Sequence, residues 1–403
     1  MKLFECQQCA SPIFFENTHC ENCGLELGFL PDRQVLSALE NRQSALVPLA
    51  APQSPYRFCD NHQHGVCNWL VPEEAGQGLC VACVLNETIP DLSDFQHRLA
   101  WQTVETAKHR LIYSLIRFNL PFASKIAEPQ TGLAFNFLAD TNQNPDQPGI
   151  LTGHDRGRIT INIAEAESDQ REATRIEMGE PYRTLIGHFR HEIGHYYWDR
   201  LIKPDAEKLA AVRAIFGDES GDYSAALETY YKNGPAPAWQ DRFVSAYASA
   251  HPWEDWAETL SHYFHLVDTL ETAQAFGIRL QPSLRSHPEL SMQADFDPYA
   301  HADFDAIISA SIPLALAVNS LNRSMGQPDL YPFVLPPAVL DKLRFIHQLV
   351  KWIVSGFPQR QTSAGYFESQ EGEWDSNGQV LWIADRLQTL TGTTDTRKRF
   401  KPG

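Results

Sequence analysis

Residues 181–201 read PYRTLIGHFRHEIGHYYWDRL, and within them His191-Glu192-Ile193-Gly194-His195 is an HExxH run. Histidines four apart on a helix share one face, so both imidazoles can reach one metal ion. The glutamate next to the first histidine points to the neighbouring edge, where it can meet a water polarised by that metal. Zinc lowers the pKa of such a water toward ~7. Glu192 can then take its proton as general base and pass it to a leaving amine. No proline interrupts Arg183 to Leu201, so the stretch predicts one long helix with Pro181 in its first turn. HExxH alone also fits an ordinary amphipathic helix. A third ligand separates the two readings, because a catalytic zinc takes three protein ligands and keeps one open position.

Residues 247–258 read YASAHPWEDWAE. Glu254 and Glu258 lie four apart and share a helix face. One can bind the metal while the other braces a ligand histidine; spacing alone leaves open which does which. The Tyr247 phenol either donates a hydrogen bond to a developing oxyanion or is a packed aromatic. His188, His251 and His262 are neighbours with more ordinary roles expected, and Asp255 and Asp268 suit helix capping or support.

All eight cysteines fall in the first 83 residues. Cys6, Cys9, Cys20 and Cys23 read C-x2-C-x10-C-x2-C. Two such turns face each other as the sulfur cage of a structural zinc, and so short a unit folds only with its metal. A redox CxxC pair is the alternative, without the βαβ setting it needs. Cys59, Cys67, Cys80 and Cys83 form a second, less regular set. It predicts a second structural zinc, with His62 and His64 as possible substitutes for one thiol or as plain loop residues. The expected organisation is a zinc ribbon over 1–40, a Pro/Ala/Ser/Gln-rich linker over 41–57, a second cysteine-rich zinc module over 58–90, a main domain over 91–360 and a C-terminal extension over 361–403.

Within the main domain, 94–119 predicts a core helix capped by Asp94, with Leu99, Val104, Leu111, Leu115 and Phe118 on one face and Pro121 past its end. Residues 133–138 and 158–163 alternate as short strands around a turn-rich loop. Residues 202–242 are too interrupted for a single helix. Further helices are expected over 252–276, 303–321 and 336–354. The 33 basic against 50 acidic side chains give a net charge of −17, which argues against nucleic-acid or anionic-membrane binding through bulk charge. No run reaches ~18 consecutive apolar residues, so a cytoplasmic protein is expected. Cysteines clustered as metal ligands suit that reducing setting.

Tyr247, seven residues before Glu254 and followed by Ala257-Glu258, resembles the zincin group that includes anthrax lethal factor. The two cysteine sets, CNWLVP (67–72), IPDLS (89–93), EPYRTLIGHFRHEIGHYYWD (180–199) and HPWEDWAETLSHYFH (251–265) together resemble a bacterial family of zinc-binding metallopeptidases carrying a zinc ribbon. The likeness runs from about Cys6 to Asp268. It implies an α+β fold, a mainly helical zincin-like domain with a small sheet behind small zinc-ribbon modules. It also implies Glu254 as third ligand, Glu258 as support for a histidine and Tyr247 as oxyanion donor. The expected function is a zinc-dependent peptidase acting on peptide or protein, with one catalytic and two structural zinc ions. In zincins an edge strand before the HExxH helix pairs with extended substrate, and residues 158–163 are placed to do so. The alternatives are a catalytically silent zincin-like binding protein and a zinc-ribbon adaptor for protein or nucleic acid.

Overall fold

Each CxxC turn of the first set closes in the same way. The residues that follow, Ala10 and Gly24, have positive φ and donate their N–H to the Cys6 and Cys20 carbonyls at 2.8 Å. The Cys6 and Cys23 sulfurs then lie 3.7 Å apart, and those of Cys9 and Cys20 3.6 Å. Four thiolates at ~2.3 Å from zinc have edges of about 3.8 Å, so the cage fits that ion. The second set also closes, with Cys67 and Cys80 at 3.7 Å. Backbone N–H groups of Trp69, Cys80 and Cys83 point at the sulfurs of Cys67, Cys59 and Cys80, which suits thiolates. His62 and His64 stand outside both ligand groups. The His62 ring bonds the Cys67 carbonyl at 2.9 Å and stacks on Phe58.

The structure is a computed structural model that describes residues 1–42, 45–76, 78–139, 150, 152–167, 171, 184–283 and 286–356. Strands β1 (Phe4–Glu5) and β2 (Pro12–Ile13) form the first knuckle. Strands β3 (Leu27–Leu30), β4 (Val35–Arg42), β5 (Ala45–Pro48), β6 (Tyr56–Phe58) and β7 (Leu70–Pro72) follow as one antiparallel sheet in chain order. The expected linker at 41–57 is therefore corrected: it supplies β5, part of β6 and the end of β4. Its composition describes the turns. Tyr56 is buried in a cluster with Leu30, Leu39 and Leu70, against which Leu46 packs, a signal too short to stand out as alternation. The 1–40 and 58–90 segments share this sheet.

The main domain starts from β8 (Asn86–Thr88) and helix α1 (Phe95–Phe118). The Asp94 carboxylate accepts the N–H groups of Gln96 and His97 as an N-cap. Val104, Leu111, Leu115 and Phe118 are buried, whereas Leu99 is 41% exposed; the first turns of α1 project beyond the core. Strands β9 (Ala134–Leu138), β10 (Gly153–Asp155) and β11 (Arg158–Asn162) join β8 in the order β10-β11-β9-β8. β11 pairs with β10 on one side and β9 on the other. Residues 158–160 thus have both edges occupied, and the expectation that 158–163 pair with substrate is corrected there. A strand with both edges in ladder hydrogen bonds has no free donors for a peptide.

Helices α2 (Leu185–Tyr197), α3 (Ala206–Phe216), α4 (Tyr223–Asn233) and α5 (Pro252–Ala275) come next, then the pair β12 (Arg279–Leu280) and β13 (Met292–Gln293), and α6 (Phe304–Ser324) and α7 (Pro337–Gly356). The fold is α+β. α2 begins at Thr184, whose hydroxyl accepts the Gly187 N–H. Pro181, the expected first-turn residue, lies outside the described residues, as do the 141–149 loop and the 361–403 extension. α6 is long and apolar enough by composition to cross a membrane, and 44% of its most apolar window is buried against the rest of the chain.

One continuous apolar cluster runs from Phe4 through the cysteines to Ile353. At its N-terminal end Phe15 and Phe29 pack at 4.9 Å, Phe29 and Trp69 at 4.9 Å, and Phe15 against Tyr113 of α1 at 5.2 Å. Trp69→Ala is expected to cost about 3–5 kcal/mol. Because the core is shared, calorimetry should show a single unfolding transition that moves down as a whole. Two transitions, the later one unmoved, would mean that the cysteine-rich segment hangs free of the main domain.

Candidate metal centre

α2 and α5 cross where neither has bulk. A Cβ on Gly194 would stand 2.8 Å from the Ala257 Cα and 3.2 Å from its Cβ. The bare glycine lets the backbones meet, and the Trp256 indole N–H donates to the Gly194 carbonyl at 2.9 Å. Pro252 sits in the first turn of α5, and the His251 ring caps that helix by accepting the Trp253 N–H at 3.1 Å. This start places Glu254 opposite the two histidines of α2.

Three donor atoms converge there. Glu254 Oε2 lies 3.0 Å from His191 Nε2 and 3.4 Å from His195 Nε2, and the two nitrogens are 3.1 Å apart. Ligands at ~2.0–2.1 Å from a tetrahedral zinc are separated by about 3.3–3.4 Å. Two imidazole nitrogens and one carboxylate oxygen at these edges fit zinc in kind and in size. Glu254 rather than Glu258 completes the trio.

Each member is braced. Glu258 Oε1 contacts His191 Nδ1 at 2.6 Å, while its Oε2 accepts the Ser245 hydroxyl at 2.6 Å. This fixes the ring with Nε2 turned to the centre. The Trp253 ring packs on His195 at 3.8 Å. Tyr223, from the start of α4, donates its hydroxyl to Glu254 Oε1 at 2.6 Å. The Tyr247 ring lies 5.9 Å from His191, and Glu192 is buried on α2. Burial disfavours a charged His191, but Glu254 and Glu258 outweigh it and hold its pKa well above the ordinary value. Burial likewise pushes the Glu254 carboxyl up, yet His195 and His191 bring it well below the usual range. The cluster is thus built around a positive charge. Burial, followed by the charge of Glu254, raises the hydroxyls of Tyr223 and Tyr247, so both stay protonated donors.

The other candidates stand elsewhere. His188 pairs with Glu165, and His262 bonds the Tyr331 hydroxyl at 2.7 Å. Asp255 pairs with Lys342 at 2.6 Å, and Asp268 with Arg190. Tyr223, Ser245 and Trp253 escaped sequence reasoning. Tyr223 lies in the broken stretch 217–223, where the readable signal is Asp222, the N-cap of α4. His154 of β10 lies 6.1 Å from His195. Burial, helped by His195, lowers its pKa to about 3, and the neutral ring accepts the Gly157 N–H at 2.8 Å.

Residues 97–349 match a family described as "Putative zinc-binding metallo-peptidase", and residues 3–94 match a zinc-ribbon domain. The second match spans both cysteine sets. Uncharacterized proteins of Mycobacterium tuberculosis and Mycobacterium bovis are each 41% identical over 357 residues, covering 89% of this chain and 97% of theirs. No solved structure matches the chain.

The crossing gives a direct prediction. Gly194→Ala adds a methyl where backbone stands, so the helices must part. The gain in helix propensity, about 1 kcal/mol, is smaller than the about 1–3 kcal/mol cost of overpacking. Denaturant titration should show a net loss of stability; a variant as stable as wild type would mean that the contact is not tight.

Proposed function

The chain belongs to the zinc-binding metallopeptidase family, and we propose that it is a zinc-dependent peptidase of the two-histidine, one-glutamate type. The observation that carries this reading is the convergence of His191, His195 and Glu254 beside the buried Glu192. Zinc at such a site supplies Lewis acidity and a water of lowered pKa.

The chain's own residues supply the rest. Glu192 takes the proton of the attacking water and returns it to the departing amine. The Tyr247 hydroxyl donates to the oxygen that becomes negative as the carbonyl is attacked. Glu258 and Ser245 keep His191 oriented. The substrate is a peptide or protein, the setting is the cytoplasm, and the cysteine sites hold two structural zinc ions beside the catalytic one. The acidic composition speaks against nucleic acid as the partner. A silent binding protein would have no need of Glu192, and its retention favours turnover.

The test is cleavage of denatured casein by the purified protein. Wild type should cut and should stop when a zinc chelator is added. Glu192→Gln should lose about 10²–10⁴ in rate while native mass spectrometry still counts three zinc ions per chain. Equal activity of the two proteins would overturn the assignment.

A further inference from the structure

We infer that Tyr223 is a positioning residue for Glu254, fixing the carboxylate so that one oxygen alone is left for the metal, and that α4 is held over the centre through it. This rests on the zinc site proposed above. A carboxylate offers two oxygens, and next to a cation both can bind. Here Oε1 is taken by the Tyr223 hydroxyl at 2.6 Å, and Oε2 is the atom that faces His191 and His195. An O–H···O⁻ bond of this length is of the strong, charge-assisted kind. Glu254 is 1% exposed, so water cannot replace the hydroxyl at little cost.

The setting of Tyr223 supports a task beyond packing. Its ring stands perpendicular to His251 at 5.2 Å and near-perpendicular to Trp253 at 5.4 Å. His251 caps the helix that carries Glu254, and Trp253 packs on His195. The tyrosine is therefore wedged between residues that position two of the three ligands. The helix it begins has no buried residue and runs from its N-cap Asp222 to Gly234, a glycine at positive φ. An exposed helix that sends its first side chain into a buried ion cluster contributes little core there. A phenylalanine would fill the same ring space, so the hydroxyl is what the position requires.

The experiment compares wild type and Tyr223→Phe with zinc in both cysteine sites and cobalt(II) or zinc titrated into the third site against a competing chelator. The variant should bind the third metal roughly 10–100-fold more weakly. Its cobalt spectrum should lose visible intensity as Glu254 turns to bind through both oxygens and raises the coordination number. On casein, kcat should fall while KM holds. The far-ultraviolet circular dichroism and the zinc held in the cysteine sites should match wild type, which rules out misfolding as the cause, while loss of a buried charge-assisted bond lowers the melting temperature modestly. Unchanged affinity and an unchanged cobalt spectrum would overturn the inference while leaving the zinc site standing. A wild-type protein that takes up only two metal ions would remove the zinc site itself, and this inference with it.

Discussion

The distance between two helices governs the rest of the molecule. α2 brings His191, Glu192 and His195, and α5 brings Glu254 and Glu258. Neither helix holds a metal alone. Helix axes usually stay 8–10 Å apart, and side-chain bulk at the crossing sets that gap. With Gly194 facing Ala257, bulk is absent, and an indole N–H bridges the helices at the same level. Two ion pairs then hold α5 on either side of the crossing. Asp255 is tied to Lys342 of α7, and Asp268 to Arg190 of α2. Asp268 also accepts from Ser114 of α1 and from Tyr299. Breaking such a buried pair leaves an uncompensated charge, so these ties resist small displacements of α5.

The cysteine-rich segment joins the same structure from the other end. Cys83 closes the second thiolate cage and also lies 3.8 Å from His109 Nε2 on α1, whose Nδ1 bonds the Glu105 carbonyl at 2.8 Å. Lys108, fully buried, pairs with Glu105 one turn away. Burial alone would lower the pKa of both bases, yet Glu105 and Cys83 hold them above their ordinary values. A buried lysine and a histidine of raised pKa thus stand beside a cage of four sulfurs. The zinc-ribbon sheet is fused to α1 by charge as well as by the aromatic contacts of Phe15, Phe29 and Trp69 with Tyr113 and His109.

What could be read in advance follows from how local each signal is. The HExxH spacing, the cysteine pairs, Asp94 as a cap and Pro252 as a helix start each act within a few residues, and each is legible in a short window. Glu254 against Glu258 is not of this kind. Both share a face, and the side of His191 that each meets depends on the rotation of α5 fixed by Gly194. Tyr223 and Ser245 reach the centre from segments 31 and 13 residues away from their partners, and no periodicity announces such a contact. The sheet through 41–57 was hidden for another reason. Its strands are three or four residues long, and their pairing is made by neighbours rather than by their own pattern. The same holds for β11, whose alternation shows a strand but not which of its edges is covered.

The charges along α5 argue most directly for a cation at the centre. Among the described residues of this helix, Glu254, Asp255, Asp268 and Glu271 are all buried. A carboxylate out of water needs a positive partner. Asp255 has Lys342, Asp268 has Arg190, and Glu271 has Arg117 at 2.6 Å. Each of these partners is a side chain that is cationic at neutral pH. Glu254, as buried as any of them, faces two histidines and a tyrosine. Histidine is neutral near pH 7 unless something holds its proton, and a proton held on His191 is one positive charge against the two carboxylates of Glu254 and Glu258. A divalent ion at that point would balance both carboxylates and leave the imidazoles neutral, as ligands must be. The helix supplies a fixed cation to three buried acids, and at the fourth it leaves a place shaped for a metal.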